Sequence, residues 1–192
     1  MKKLLITFFC IPVWFIQSYG FDSAIVKNIL PDFAIVQCAG NIGVVSGGFG
    51  YSFFKNKMLT SVSYGFVPHF IGGTTVHTIA LRNNFKIYEF TLNKKNQLVS
   101  YANVGVNFEP GEHSYIELPK KYPNGYYATN SFHFPLGLGL RIDSVPKHIN
   151  FAKSSLFAEV GTLATYIYYE YMAQKRLTET IASLSFGLLI FW

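Results

Sequence analysis

The chain has 192 residues and a mass of 21.7 kDa; half of it is hydrophobic, 18% is aromatic and 14% is charged. Ordinary proteins carry roughly 25% charged residues, so this one is short of the groups that coat a soluble surface, and its apolar content excludes a disordered chain. The 16 glycines, the abundance of Phe and Tyr and the lack of any Ala/Glu/Lys/Leu-rich stretch argue against a helical bundle, while a net charge of +6 spread thinly forms no stripe for nucleic acid.

Met1-Lys2-Lys3 is a basic start, Leu4 to Ile16 is a 13-residue apolar run, and Ser18-Tyr19-Gly20 places small residues before Phe21. This pattern predicts a secretory signal peptide over 1–20. A spanning helix needs ~18–20 apolar residues, and the run falls short. Removing 1–20 takes away Lys2 and Lys3, so 14 basic residues stand against 10 acidic ones and the expected mature charge is +4. Cys38 is then the one remaining cysteine, which excludes an intrachain disulfide. Residues 21–32, closed by Pro31, read as a short periplasmic lead-in, and 33–192 as the folded body.

Beyond residue 20 the recurring signal is alternation with a period of two, the mark of strands with two unlike faces. It predicts strands at 33–39, 42–54, 58–68, 75–88, 97–108, 132–143, 154–169 and 182–192. The clearest runs from Phe132 to Asp143. There Phe132, Phe134, Leu136, Leu138, Leu140 and Ile142 oppose His133, Pro135, Gly137, Gly139, Arg141 and Asp143. In the last segment Leu184, Phe186, Leu188, Ile190 and Trp192 oppose Ser183, Ser185 and Gly187, with Leu189 and Phe191 breaking the contrast. Gly40-Asn41 reads as a tight turn, which gives eight strands; a single bent strand through it would give seven. Bacterial single-chain barrels have even numbers, which favours eight. The predicted connections alternate, with 55–57, 89–96 and 144–152 at one end and 68–74, 109–131 and 170–178 at the other. The fold expected is an all-β, up-and-down antiparallel barrel.

Alternation leaves open whether the apolar face meets a core, as in a secreted lipocalin-like barrel, or lipid. A Gly- and Ser-rich opposite face suits a crowded lumen, charge is scarce on every strand, and aromatics gather near strand ends as membrane girdles do. The alternate apolar residues Leu184, Phe186, Leu188, Ile190 and terminal Trp192 resemble the C-terminal strand by which bacterial outer-membrane proteins are recognised for insertion. The chain as a whole resembles the small outer-membrane barrels of OmpA-transmembrane and OmpX-like architecture. That resemblance implies export, contact with the barrel-assembly machinery and outer-membrane lipid, and residence in the cell outer membrane. The role expected for the chain is structural or interactive through its outer loops, with loop 109–131 open to an extracellular ligand or protein.

Arg141, Asp143 and Glu159 share the small-polar face, and buried charges must pair. An interior network of Arg141 and Glu159 with Asp143, joined by Arg82, is expected to fill the lumen; a gated ion path is the alternative. The lipid A deacylases and palmitoyltransferases are also small barrels with Ser/His chemistry, and the deacylases carry a Phe-x-His-x-Ser-Asn string. Here Ser131-Phe132-His133-Phe134-Pro135 offers Phe and His at another spacing with no Ser-Asn, so a lipid-modifying acyl hydrolase or transferase at the rim is the runner-up. His69 and His77 lack zinc spacing, the acids Glu109, Glu112 and Glu117 near His113 lack an EF-hand pattern, and no phosphate loop precedes a helix. No cofactor or metal is expected, and no catalytic residue is assigned. Tyr122, Tyr126 and Tyr127 make the long loop an aromatic surface suited to a partner.

Overall fold

The structure, a computed structural model, describes residues 30–111, 114, 131–144, 153–172 and 182–192. The chain divides into two compact units, Met1–Pro31 and Asp32–Trp192. The predicted signal peptide and most of the lead-in lie outside the described residues. The barrel belongs to the second unit.

Among the described residues nine strands form a closed antiparallel wall: β1 (Phe33–Ala39), β2 (Val45–Phe53), β3 (Met58–Val67), β4 (Val76–Thr91), β5 (Asn96–Phe108), β6 (Phe132–His133), β7 (Pro135–Ser144), β8 (Lys153–Leu163) and β9 (Ser183–Phe191). β6 and β7 both pair with β5 and form one stave, so the barrel has eight. Pro135 has no N–H to give the ladder, which accounts for the break between them. Each stave pairs with the next along the chain, and β9 closes on β1 from Phe33↔Phe191 to Ala39↔Ser185. β1 and β2 are separate strands. The chain reverses between them over residues 40–44, where Gly40 has φ of 89° and an added Cβ would lie 2.7 Å from that of Ser185.

The register fixes the barrel's proportions. Starting at Asn96 and stepping through Ser144, Ser154, Ile190, Ala34, Phe49, Val62 and Leu81 returns to β5 at Val106, ten residues further on. That stagger tilts the strands by about 40°. At ~3.3 Å per residue, a ten-residue strand such as Met58–Val67 rises about 25 Å along the axis.

The wall extends differently from the sequence expectation in two places. The strand expected over 154–169 stops at Leu163, and a helix α2 (Ala164–Met172) follows. Its neighbour runs out there: Leu163 pairs with Pro135, and the N–H of Ala164 to the carbonyl of Phe134 is the last rung. Conversely, half of the connection expected over 89–96 is strand. A bulge between Lys86 and Tyr88 shifts the phase, so Ile87 and Tyr88 are both exposed and the alternation is hidden. The turn shrinks to 92–95, where Asn93 Oδ1 accepts from the N–H groups of Lys95 and Asn96 at 2.9 Å. A short helix α1 (His69–Gly72) links β3 to β4.

The small-polar face points inward and the bulky face outward. Ser46, Ser61, Ser63, Thr78, Arg82, Asn103, Arg141, Asp143, Glu159 and Ser185 are buried, whereas Phe49, Leu138, Leu140, Leu156, Val160 and Phe186 are exposed by half or more. Inward glycines make room for inward aromatics on the adjoining strand: Phe33 faces Gly50, Tyr101 faces Gly139 and Phe157 faces Gly187. A Cβ at Gly139 would stand 2.3 Å from the Tyr101 ring, and one at Gly187 equally close to that of Phe157. The Gly-rich face is thus a packing requirement of a narrow lumen.

Candidate functional site

The lumen is layered. At the end carrying Asp32 and Trp192 it is closed by an apolar cluster of Phe33, Ile35, Leu59, Tyr101, Phe157, Leu189 and Phe191. The rings of Phe33 and Phe191 lie 5.2 Å apart. Leu189 and Phe191 broke the sequence alternation because they belong to this floor. Their inward position follows from period two alone, since Ser183, Ser185 and Gly187 precede them on the same face.

Against the floor sits the first charge cluster. Arg82 on β4 donates through Nη2 to Glu159 Oε1 on β8, and through Nη1 to Gln37 Oε1 on β1 at 3.0 Å. The Tyr101 hydroxyl donates to Glu159 Oε2 at 3.2 Å, and Gln37 Nε2 to the carbonyl of Ala39 at 3.1 Å. The two charged side chains are 5% and 7% exposed, so the pair is shielded from bulk water. Four strands are tied together at one height by this group.

A second cluster lies along β7 and β8. Arg141 Nε donates to Asp143 Oδ1 at 2.7 Å, Ser155 Oγ donates to the same oxygen at 2.7 Å, and Lys153 Nζ sits 2.6 Å from Oδ2. Lys153 also lies over the Phe191 ring, 4.9 Å from its centroid. The sequence expectation joined Arg141 to Glu159. In the structure Glu159 takes Arg82 as its partner and Arg141 takes Asp143. Period two predicts that all four face inward, but only the barrel's closure decides which strands face each other across the lumen. Gln37 and Tyr101 carry no sequence signal for this site: a single Gln in a short apolar strand makes no pattern, and a Tyr on a strand is as readily a girdle or packing residue as the partner of a buried carboxylate.

Towards the other end the lumen becomes more polar. Asn107 Nδ2 donates to the carbonyl of Asn41 at 2.7 Å, Ser183 Oγ donates to Asn41 Oδ1, and Ile42 is buried, so the β1–β2 loop folds inward. Arg82 Nε, Asn84 Oδ1, Asn103 Nδ2, Asn107 Oδ1 and Thr162 Oγ1 are buried with no protein hydrogen-bond partner; Asn84 pairs with the floor residue Leu59 and Arg82 belongs to the first charge cluster, while Asn107 and Thr162 lie towards this end. Such groups are ordinarily satisfied by buried water.

At the rim, Ser131 is 1% exposed and its Oγ accepts a hydrogen bond from Ser114 Oγ at 2.9 Å, an enclosed position for a nucleophile. His133 Nε2 is 3.5 Å from Glu109 Oε2. His77 lies outside the wall, its Nδ1 sharing a 2.5 Å hydrogen bond with the Tyr64 hydroxyl. Among the described residues no three His, Cys, Asp or Glu side chains gather as a metal site. Most of loop 109–131, with Glu112, His113, Glu117, Tyr122, Tyr126 and Tyr127, lies outside the described residues.

No family model matches the chain, and comparison with curated proteins and with solved structures returns no match. Function must therefore be argued from the barrel itself. Its distribution of side chains, ionic within and apolar without, is the inverse of a lipocalin-like barrel. No helix among the described residues is long and apolar enough to cross a membrane, a statement that does not bear on strands.

Proposed function

We propose that the chain is an integral outer-membrane protein of the small OmpA-transmembrane and OmpX-like kind. In this reading it is exported by a signal peptide at 1–20, spans the membrane with eight strands, and acts through its outer loops as a structural or interaction protein. One observation carries the reading: the outward face of the barrel is a belt made mostly of exposed Leu, Val, Ile and Phe, while the buried ionised groups Arg82, Arg141, Asp143 and Glu159 are turned inward. In water such a belt is far larger than the few hundred Å² of contiguous apolar surface a monomer tolerates. Its height of about 25 Å equals the apolar band of outer-membrane barrels. Leu184, Phe186, Leu188 and Ile190 point outward on β9 and Trp192, just past its end, is exposed, where the barrel-assembly machinery would read them. Parity puts the apolar floor at the periplasmic side, and the more polar mouth, α2 and loop 109–131 at the cell surface.

The floor and the cross-lumen pair support a barrel that does not conduct. Ion passage would require parting Phe33 from Phe191 and Arg82 from Glu159. Expression in a Gram-negative host tests the whole reading. The protein should fractionate with outer membranes and resist extraction by carbonate. It should also migrate faster on a gel before heating than after. Recovery of folded protein in the soluble periplasm would refute it.

A further inference from the structure

The outer belt is grooved where it crosses β7, β8, β9 and β1. Two outward rows run side by side there, Ile142–Leu156–Leu188–Val36 and Leu140–Ala158–Phe186–Cys38, each step a register pair. Leu98 on β5 extends the first row. Ala158 is the short side chain among bulky ones, and an open apolar groove of about 750 Å³ surrounds it. That volume falls within the ~300–1,000 Å³ of small-molecule sites. Leu98, Ile142 and Leu156 line one edge of the groove. On the same outward face, two residues further along each of their strands, stand Asn96, Ser144 and Ser154, themselves register partners. The Ser144 hydroxyl donates to Asn96 Oδ1 at 2.8 Å. At this edge the belt changes from hydrocarbon to hydroxyl and carboxamide.

The polar row lies at the end of the barrel that carries the turn 92–95, where Lys94 and Lys95 are both exposed just before Asn96. The carboxylates near it already have cations: Asp143 has Arg141 and Lys153, and Glu89 has Lys86 at 2.6 Å. Among the described residues this edge is therefore net positive. An apolar groove with a cationic, hydrogen-bonding end has the polarity of a lipid that joins an acyl tail to an anionic head. The inference rests on the membrane reading, in which parity puts this end in the periplasmic leaflet. A second copy seated on the groove would bring its own Lys94 and Lys95 against these, and like charges repel. We propose that the groove holds an acyl chain of one anionic glycerophospholipid of the periplasmic leaflet. Its phosphate sits at Asn96, Ser144 and Ser154, and Lys94 and Lys95 supply the countercharge.

The test uses the full chain from a Gram-negative host, purified in mild detergent and read by native mass spectrometry. It should carry a single phospholipid per chain. After exchange into lipid-free detergent it should rebind phosphatidylglycerol in preference to phosphatidylcholine, and inorganic phosphate should not compete. Ala158→Phe fills the groove and should lose the lipid. Val62→Phe, outward on β3 and outside the groove, should keep it, the folding of both being verified by the unheated gel shift. Lys94→Glu with Lys95→Glu should weaken phosphatidylglycerol binding about tenfold and erase the preference. Equal lipid retention in Ala158→Phe and Val62→Phe, equal binding of the two lipids, competition by free phosphate, or a lipid-free dimer overturns the site. Each of these, from protein that fractionates with the membrane, leaves the membrane reading intact. Protein that never enters the membrane fraction overturns both.

Discussion

The two ionic clusters of the lumen use the same chemistry for different ends. Arg141 and Asp143 are two residues apart on β7, and their bond exists wherever that strand is extended. Arg82 and Glu159 are 77 residues apart and meet only after β4 and β8 have been brought to face each other across the barrel. The first is a local arrangement with a partly exposed Lys153 at its edge; the second is a strut between walls, enclosed on both sides. Both pairs are enclosed, the side chains 4% and 5% exposed in the first and 5% and 7% in the second, so removing one partner of either strands a charge; what separates them is span, because the strut also ties β4 to β8.

The largest effect is therefore expected at the strut. Glu159→Gln should lower unfolding stability in detergent by about 3–5 kcal/mol, as breaking a buried pair does, whereas Arg82→Met combined with Glu159→Leu should recover most of that loss. Urea titrations of the single and double variants measure the difference; a double variant no better than Glu159→Gln would show that the charges do more than compensate each other. Next comes the packing that holds the strut's floor. Gly139→Val drives a side chain into the Tyr101 ring and should lose about 1–3 kcal/mol through overpacking, with Tyr101→Ala in the same chain relieving part of it. At the local cluster, Asp143→Asn strands the enclosed Arg141 but frees Lys153, 21% exposed, to turn to water, and it should be milder than Glu159→Gln because no facing strands are untied; an equal loss would erase the difference between strut and local pair. The smallest change belongs to Ser155→Ala, where one hydroxyl is removed from Asp143 and about 1 kcal/mol is expected, again read by urea midpoint.

Most of the wall was legible in the sequence, because a strand with one face inward and one outward writes period two directly into the chain. Phe132 to Asp143 shows this, and so does the sidedness of Leu184 to Trp192. Legibility ended where the alternation has another cause. Beyond Leu163 the residues still alternate, yet the wall supplies no partner and the backbone coils into α2. Around Ile87 a bulge moves the phase by one residue, so strand looks like loop. The candidate site was half legible. That Arg82, Arg141, Asp143 and Glu159 share the inner face follows from local pattern. That Arg82 rather than Arg141 reaches Glu159 depends on stagger and closure, which no single segment encodes.

The central claim is that lipid, and not water or packed protein, touches the bulky side of the wall. It is tested most directly by placing a fluorophore on single cysteines, in a chain lacking Cys10 and Cys38, and reconstituting the protein in bilayers containing brominated acyl chains. Probes at Leu138→Cys and Val160→Cys should be strongly quenched by the bromines, and a probe at Ser185→Cys should not. Equal insensitivity at all three positions, in folded protein, would contradict the account.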